Sequence, residues 1–174
     1  MKVSILKSSR YIIDDFDNDD EIEEVVARFQ RISYLKNNKI IWEHICKGVP
    51  LVVKAYDING DGKKEIMAGG SERKIVVFST DGEIIKEVQY WDVGDKRAGW
   101  IWDIAVDDVN GDGKPEVLVG GMAAWGGKGI DVKLYNAEFQ EIWRRHVNRT
   151  AFRLDICVLN TNEKDISEKN VIIT

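Results

Sequence analysis

Long apolar runs are missing from this chain. Nowhere in its 174 residues do 18 consecutive apolar side chains occur, so no membrane-spanning helix is expected. Proline is nearly absent, with 2 residues, and the supply of Val, Ile and aromatics is too rich for a disordered chain. Cysteine is scarce too. Cys46 and Cys157 are too few for a disulfide framework and lack metal-ligand spacing. Both sit in apolar strand-like runs, where a thiol behaves as a small hydrophobe. There is no basic surplus either: 25 Lys and Arg stand against 30 Asp and Glu, a formal net charge of −5, which argues against general nucleic-acid binding. Residues 1–14 lack the apolar core of a signal peptide, so a cytoplasmic or already processed chain is expected. The length suits one domain spanning 1–174.

What the chain has is a repeat. DDFDNDDEIEEVVA from Asp14, YDINGDGKKEIMAGG from Tyr56 and DDVNGDGKPEVLVGG from Asp107 read alike, with aligned first positions at Asp15, Asp57 and Asp108. The spacings are 42 and 51 residues, and an eroded copy begins 52 residues further on at Asn160. Periods of this length signal repeat architectures, propeller blades among them. Each period divides into short strand-like pieces. In the second these are EIMAGG (65–70), KIVVFST (74–80), the turn pair Asp81-Gly82, EIIKEVQY (83–90) and WIWDIAV (100–106). The third repeats them as EVLVGG, IDVKLYN, EIWRRHV and FRLDICVL. Asp-Gly between alternating apolar residues marks a hairpin, and no stretch has a helical period. The expected fold is all-β, with four antiparallel strands per period forming one propeller blade. About 14 strands from Arg10 onward make three and a half blades, and Val3–Leu6 offers one more strand.

The loops that open each period are rich in oxygen. In Asp57-Ile-Asn59-Gly-Asp61-Gly62-Lys63-Lys-Glu65, oxygen-bearing side chains fall at positions 1, 3, 5 and 9, with glycine at 6. A tight loop of this kind converges alternate side chains on one point, as hard cations with 6 to 8 oxygen ligands require. Gly62 permits the positive φ that brings in the carbonyl of Lys63. The third loop repeats the set with Asp108, Asn110, Asp112, Gly113, the carbonyl of Lys114, and Glu116. The first offers Asp15, Asp17, Asp19 and Glu23, with Asp20 in place of glycine. Recurrence with the same ninth-position acid argues for metal binding over a plain solvated turn. Charge agrees, since residues 14–24 hold eight acids that would repel one another without a cation. Three bound dications would shift the formal charge from −5 to about +1.

An EF-hand needs a Glu at position 12 and flanking helices, whereas position 12 here is Val26, Ala68 or Val119. The loops instead resemble the calcium-binding hairpin of the FG-GAP or VCBS-type β-propellers, the family that includes the integrin α head. Through its period the resemblance covers nearly the whole chain, and two of the four loops carry the full D-x-[DN]-x-D-G-x-x-[DE] motif. It implies that each loop joins the inner two strands of a blade. It also implies that the residues just named hold Ca²⁺, two to three structural ions in all. The fourth copy, with Lys164 at position 5, is not assigned a metal.

Other residues carry weaker signals. Trp91, Trp100 and Trp125 lie near strand ends or loops, where aromatics stack sugars or anchor a partner; packing between blades is the alternative, favoured for Trp102. Arg144, Arg145, His146, Arg149 and Arg153 form a basic cluster, more simply read as a solvated strand face. Asn148-Arg149-Thr150 matches a glycosylation acceptor and is read as chance. The pairs Gly69-Gly70 and Gly120-Gly121 read as tight blade turns. No set of nucleophile, histidine and acid is visible. The expected function is thus a non-enzymatic, calcium-stabilised module that recognises a protein or glycan. A piece of a propeller-type polysaccharide-active enzyme is the alternative. An incomplete fourth blade further points to a homodimer that completes the ring, with a four-bladed ring closed within one chain as the rival.

Overall fold

The computed structural model describes residues 10–91, 99–122 and 129–147, and the backbone of 154–156 and 171–173. Val3–Leu6, Trp125, Arg149, Arg153, Cys157, the Asn148 acceptor motif and the loop at Asn160 lie outside the described residues. The first sheet comprises β1 (Tyr11–Asp14), β2 (Glu23–Arg28), β3 (Arg31–Lys36) and β4 (Lys39–Ile45). The second comprises β5 (Pro50–Tyr56), β6 (Glu65–Gly70), β7 (Lys74–Phe78) and β8 (Ile84–Gln89). β9 (Trp100–Asp107), β10 (Glu116–Met122), β11 (Ile130–Tyr135) and β12 (Glu141–Val147) make the third. Last come β13 (Leu154–Ile156) and β14 (Val171–Ile173), an antiparallel pair. Every four-stranded sheet is an antiparallel meander in chain order, and none closes on itself. The strands fall where Val, Ile and aromatic residues alternate, because such side chains suit a pleated surface that neighbours cover.

In each meander the second strand is more buried than the first, and the fourth is the most exposed. β6 is buried along its whole length and β10 nearly so, whereas β8 and β12 are mostly exposed. The sheets stack in sequence, with β5 beside β1 and β2, β9 beside β5 and β6, and β13 beside β9 and β10. Period-2 alternation feeds both faces of the second sheet. Ile66, Ala68, Val76 and Phe78 join Phe16, Val25, Ile32 and Tyr34 of the first sheet. Met67, Ile75 and Val77 join Ile101, Ile104, Val117 and Val119 of the third. Each such side chain taken fully from water contributes about 1.5–3 kcal/mol, so the middle sheet holds its neighbours together. Trp42 on β4 extends the first core. It stacks between Tyr34 and Phe78, at 5.4 and 5.5 Å, and its indole N–H donates to the Thr80 carbonyl at 2.8 Å.

The glycine pairs are not turns. Gly69-Gly70 end β6, and Gly120-Gly121 lie within β10 at a register shift. Their role is close approach. A methyl at Gly69 would lie 2.5 Å from Ile101 Cγ2, and one at Gly121 would lie 2.2 Å from the Tyr90 ring. The sequence expectation fails because a strand glycine that admits a neighbouring sheet carries the same local signature as a turn glycine. Trp91 is corrected as a surface aromatic: it is 3% exposed and packs edge-on against Tyr90 at 5.2 Å. Cys46 is half-buried against the first core, and burial pushes its thiol pKa up to about 11, which keeps it unreactive. Gly69→Ala should destabilise the fold by about 1–3 kcal/mol through overpacking, read as a lower urea midpoint with an unchanged slope.

Candidate metal centre

The three acidic loops join β1 to β2, β5 to β6 and β9 to β10, the first two strands of each meander. Their internal bonding follows one plan, fuller in the second and third loops than in the first. Both carboxylate oxygens of the position-1 Asp accept backbone amides across the loop. Asp57 takes those of Gly60 (2.7 Å), Asp61 (3.2 Å) and Gly62 (2.9 Å). Asp108 takes those of Gly111 (2.7 Å), Asp112 (3.2 Å) and Gly113 (2.8 Å). Asp15 takes those of Asp19 (3.2 Å) and Asp20 (3.0 Å). The position-5 Asp then accepts the position-7 amide: Lys63 to Asp61 and Lys114 to Asp112 at 2.8 Å, Glu21 to Asp19 at 3.0 Å. Positive φ recurs at position 6 in Asp20 (67°), Gly62 (89°) and Gly113 (85°). Asp20 therefore adopts the left-handed backbone that glycine supplies elsewhere.

The ninth-position glutamates anchor this arrangement. Glu23, Glu65 and Glu116 are 0%, 4% and 3% exposed. One oxygen of each accepts the position-2 amide: Phe16 at 2.9 Å, and Ile58 and Val109 at 3.0 Å. The position-2 side chains plug the hydrophobic clusters beneath. Burial raises the carboxyl pKa of Glu65 and Glu116, against the lowering from the Ile58 and Val109 amides. The other oxygen of Glu65 and of Glu116 turns into the loop. It meets the side-chain amide of Asn59 (2.7 Å) or Asn110 (3.0 Å), which also donates to Asp61 (3.2 Å) or Asp112 (3.1 Å).

Three carboxylates and one amide thus gather within each of the second and third loops. Among the described residues no cationic side chain pairs with those carboxylates. Hard oxygen donors with uncompensated negative charge on a turn braced by its own amides suit Ca²⁺. In donor type the residues fit the ion, while among the described residues only the first loop gathers three acid oxygens tightly. In the first loop, oxygens of Asp15, Asp17 and Asp19 lie within 4.8 Å of one another. There the Lys36 ammonium enters, 3.1 Å from Asp17 and 3.0 Å from Glu23, and bonded to Asp19. Lys36 escaped sequence reading because it belongs to β3 and reaches the loop only through its register with Glu23. The first and second loops also touch: the Lys64 amide donates to the Phe16 carbonyl at 2.8 Å, and its ammonium pairs with Asp14 at 2.7 Å.

Residues 57–119 match the family model of the FG-GAP-like repeat. The matched segment holds the second and third loops and the strands between them, and leaves the first loop outside. No curated protein matches the chain. Among solved structures, the crystal structure of BBS1N in complex with ARL6DN, soaked with lead, superposes with a TM-score of 0.62 at 11% identity. It covers 88% of this chain, which spans about half (47%) of that one. The V. cholerae biofilm matrix protein Bap1 is also similar, at 19% identity with a TM-score of 0.36, over 82% of this chain and 28% of its own. At such identities the likeness shows the fold alone, and that fold is propeller-like.

The remaining aromatic and basic signals separate. Trp100 is 45% exposed at the start of β9, and Trp102 is half-buried. Arg144 forks onto Glu141 at 2.6 and 3.1 Å, and His146 contacts Asp131 at 2.6 Å. The described part of the basic cluster is therefore an exposed, paired strand face. Glu116→Ala should destabilise the protein by about 1–3 kcal/mol even in chelator, because it leaves the buried Val109 amide without an acceptor. Glu116→Gln keeps an acceptor and should cost less. Urea unfolding in EDTA compares the two, and equal losses would count against this anchoring role.

Proposed function

We propose that the chain is a non-catalytic interaction module of propeller type, braced by Ca²⁺ in the loops beginning at Asp57 and Asp108. The duplicated constellation carries the reading: the same three carboxylates, the same Asn and the same amide bonds recur in both loops, and among the described residues no cationic side chain pairs with those carboxylates. Asp57, Asn59, Asp61, Glu65 and the Lys63 carbonyl would hold one ion. Asp108, Asn110, Asp112, Glu116 and the Lys114 carbonyl would hold the other. Bound this way the metal neutralises a turn and locks two strands, which is structural work. An ion that binds only the folded state stabilises it by about 2.7 kcal/mol at a hundredfold excess over its dissociation constant. Chelation should therefore lower the melting temperature, and Asp61→Ala or Asp112→Ala should blunt that response. Calorimetry that detects no Ca²⁺ binding by the intact protein would overturn the reading.

The partner is a protein or glycan. Trp100 offers an exposed aromatic, and Ile40, Ile41 and Ile45 on β4 with the nearby Phe29 are 55–75% exposed, an apolar stretch that a partner would cover. BBS1N, the structural relative, was crystallised in complex with ARL6DN, which fits a binding role without naming a partner here. Glycan arrays run beside polysaccharide turnover assays separate the options: binding without turnover supports the module, and turnover overturns it. We further propose that two chains associate: among the described residues β13 and β14 form a two-stranded sheet, and a second copy can extend it under two-fold symmetry. Sedimentation equilibrium at micromolar concentration should give about twice the 19.8 kDa chain mass; a single species at the chain mass would exclude the dimer.

A further inference from the structure

We propose that the first acidic loop is built around the ammonium of Lys36 as its resident cation, so that Ca²⁺ is bound by the second and third loops and not by the first. For its ion count this rests on the calcium reading above. The Lys36 Nζ lies 3.1 Å from Asp17 Oδ2, 3.0 Å from Glu23 Oε1 and 3.6 Å from Glu21 Oε2, and it donates to Asp19 Oδ2. These contacts include positions 3, 5 and 9, three of the four side chains a metal in this loop would need, and leave out Asp15 at position 1. Lys36 has three N–H donors and no acceptor, so its head can only do what a cation does there. The side chain is 17% exposed and Glu23 is 0% exposed. The ion pair is thus set into the base of the loop and is not a surface contact. Of the Asp15, Asp17 and Asp19 oxygens that lie within 4.8 Å of one another, those of Asp17 and Asp19 are held by the Lys36 ammonium.

The other loops are built differently at the corresponding place. Lys36 pairs in register with Glu23. One step beyond the Ile66–Phe78 and Val117–Tyr135 pairs, the residues facing Glu65 and Glu116 are Ser79 and Asn136. Both are neutral, and both spend their oxygen on their own hairpin: Ser79 Oγ accepts the Glu83 amide at 3.2 Å, and Asn136 Oδ1 accepts that of Gln140 at 2.7 Å. Position 3 changes in concert. It is Asn59 and Asn110 where no lysine of the described residues pairs with the loop carboxylates, and Asp17 where Lys36 does. At the ligand positions alone charge does not separate the loops, because the four carboxylates of Asp15, Asp17, Asp19 and Glu23 with one ammonium carry the same net −3 as three carboxylates. Position does, since the ammonium already holds the oxygens of positions 3, 5 and 9.

The test counts Ca²⁺ bound by the full chain, by equilibrium dialysis and native mass spectrometry. Wild type should bind two ions. Lys36→Ser, which copies the residue facing Glu65, and Lys36→Met, which keeps the apolar stem, should bind three. In EDTA both variants should melt below wild type, and Ca²⁺ should raise their melting temperatures by more than it raises that of wild type. Asp19→Asn, which leaves the lysine in place, should not change the wild-type count. Three ions on wild type, two on both folded Lys36 variants, or the loss of an ion in Asp19→Asn would each overturn the proposal. If wild type binds none and the Lys36 variants bind one, the lysine proposal stands and the two-loop calcium reading falls. Should neither Lys36 variant fold, the wild-type count and Asp19→Asn decide.

Discussion

A buried glutamate at the start of the second strand of each four-stranded sheet is the contact on which the other features hang. Glu23, Glu65 and Glu116 each send one oxygen down to the position-2 amide. The other faces the loop, where Lys36, Asn59 or Asn110 meets it. A carboxylate shut away from water is costly unless its lone pairs are met. Here the backbone meets half of that demand, and the loop must bring positive charge or donors to the rest. The acidic turns are therefore more than solvated connections. Their charge is tied by a hydrogen bond to the residue that plugs the core below, so loop and sheet order together.

The second constraint is steric. The middle sheet is buried on both faces, and its neighbours approach closely because Gly69 leaves room for Ile101 and Gly121 leaves room for Tyr90. Interiors are packed as densely as organic crystals, so a missing side chain at such a point is occupied space for the adjoining sheet. Trp42 makes the complementary contact at the outer rim, covering the β7–β8 turn from the first sheet. Together these contacts fix the angle at which one meander meets the next, and hence place the first and second loops side by side.

The loops then differ in how their negative charge is met. Where Asn occupies position 3, the carboxylates are linked by its side-chain amide. Where Asp17 occupies it, a lysine from the neighbouring strand closes the loop from within. The same loop architecture thus accommodates either an Asn that links its carboxylates or an Asp paired with a lysine from the facing strand.

The strands, their order within each period and the oxygen pattern of the loops were all legible in the amino-acid sequence. The alternation in KIVVFST, the Asp81-Gly82 turn and the 1-3-5-9 spacing are local properties, decided by residues a few positions apart. Local spacing also explains why the position-1 aspartates find their amides: donor and acceptor lie within five residues. What the tertiary structure alone decided involves partners from other strands or sheets. Trp91 is buried instead of presented, Gly69 and Gly121 admit a neighbour instead of turning the chain, and Lys36 enters a loop 13 residues before it in sequence. A slip of one residue in register would turn Lys36 to the opposite face of its sheet. Register is set by the packing of whole sheets, so no window of sequence around the first loop contains the cation that completes it.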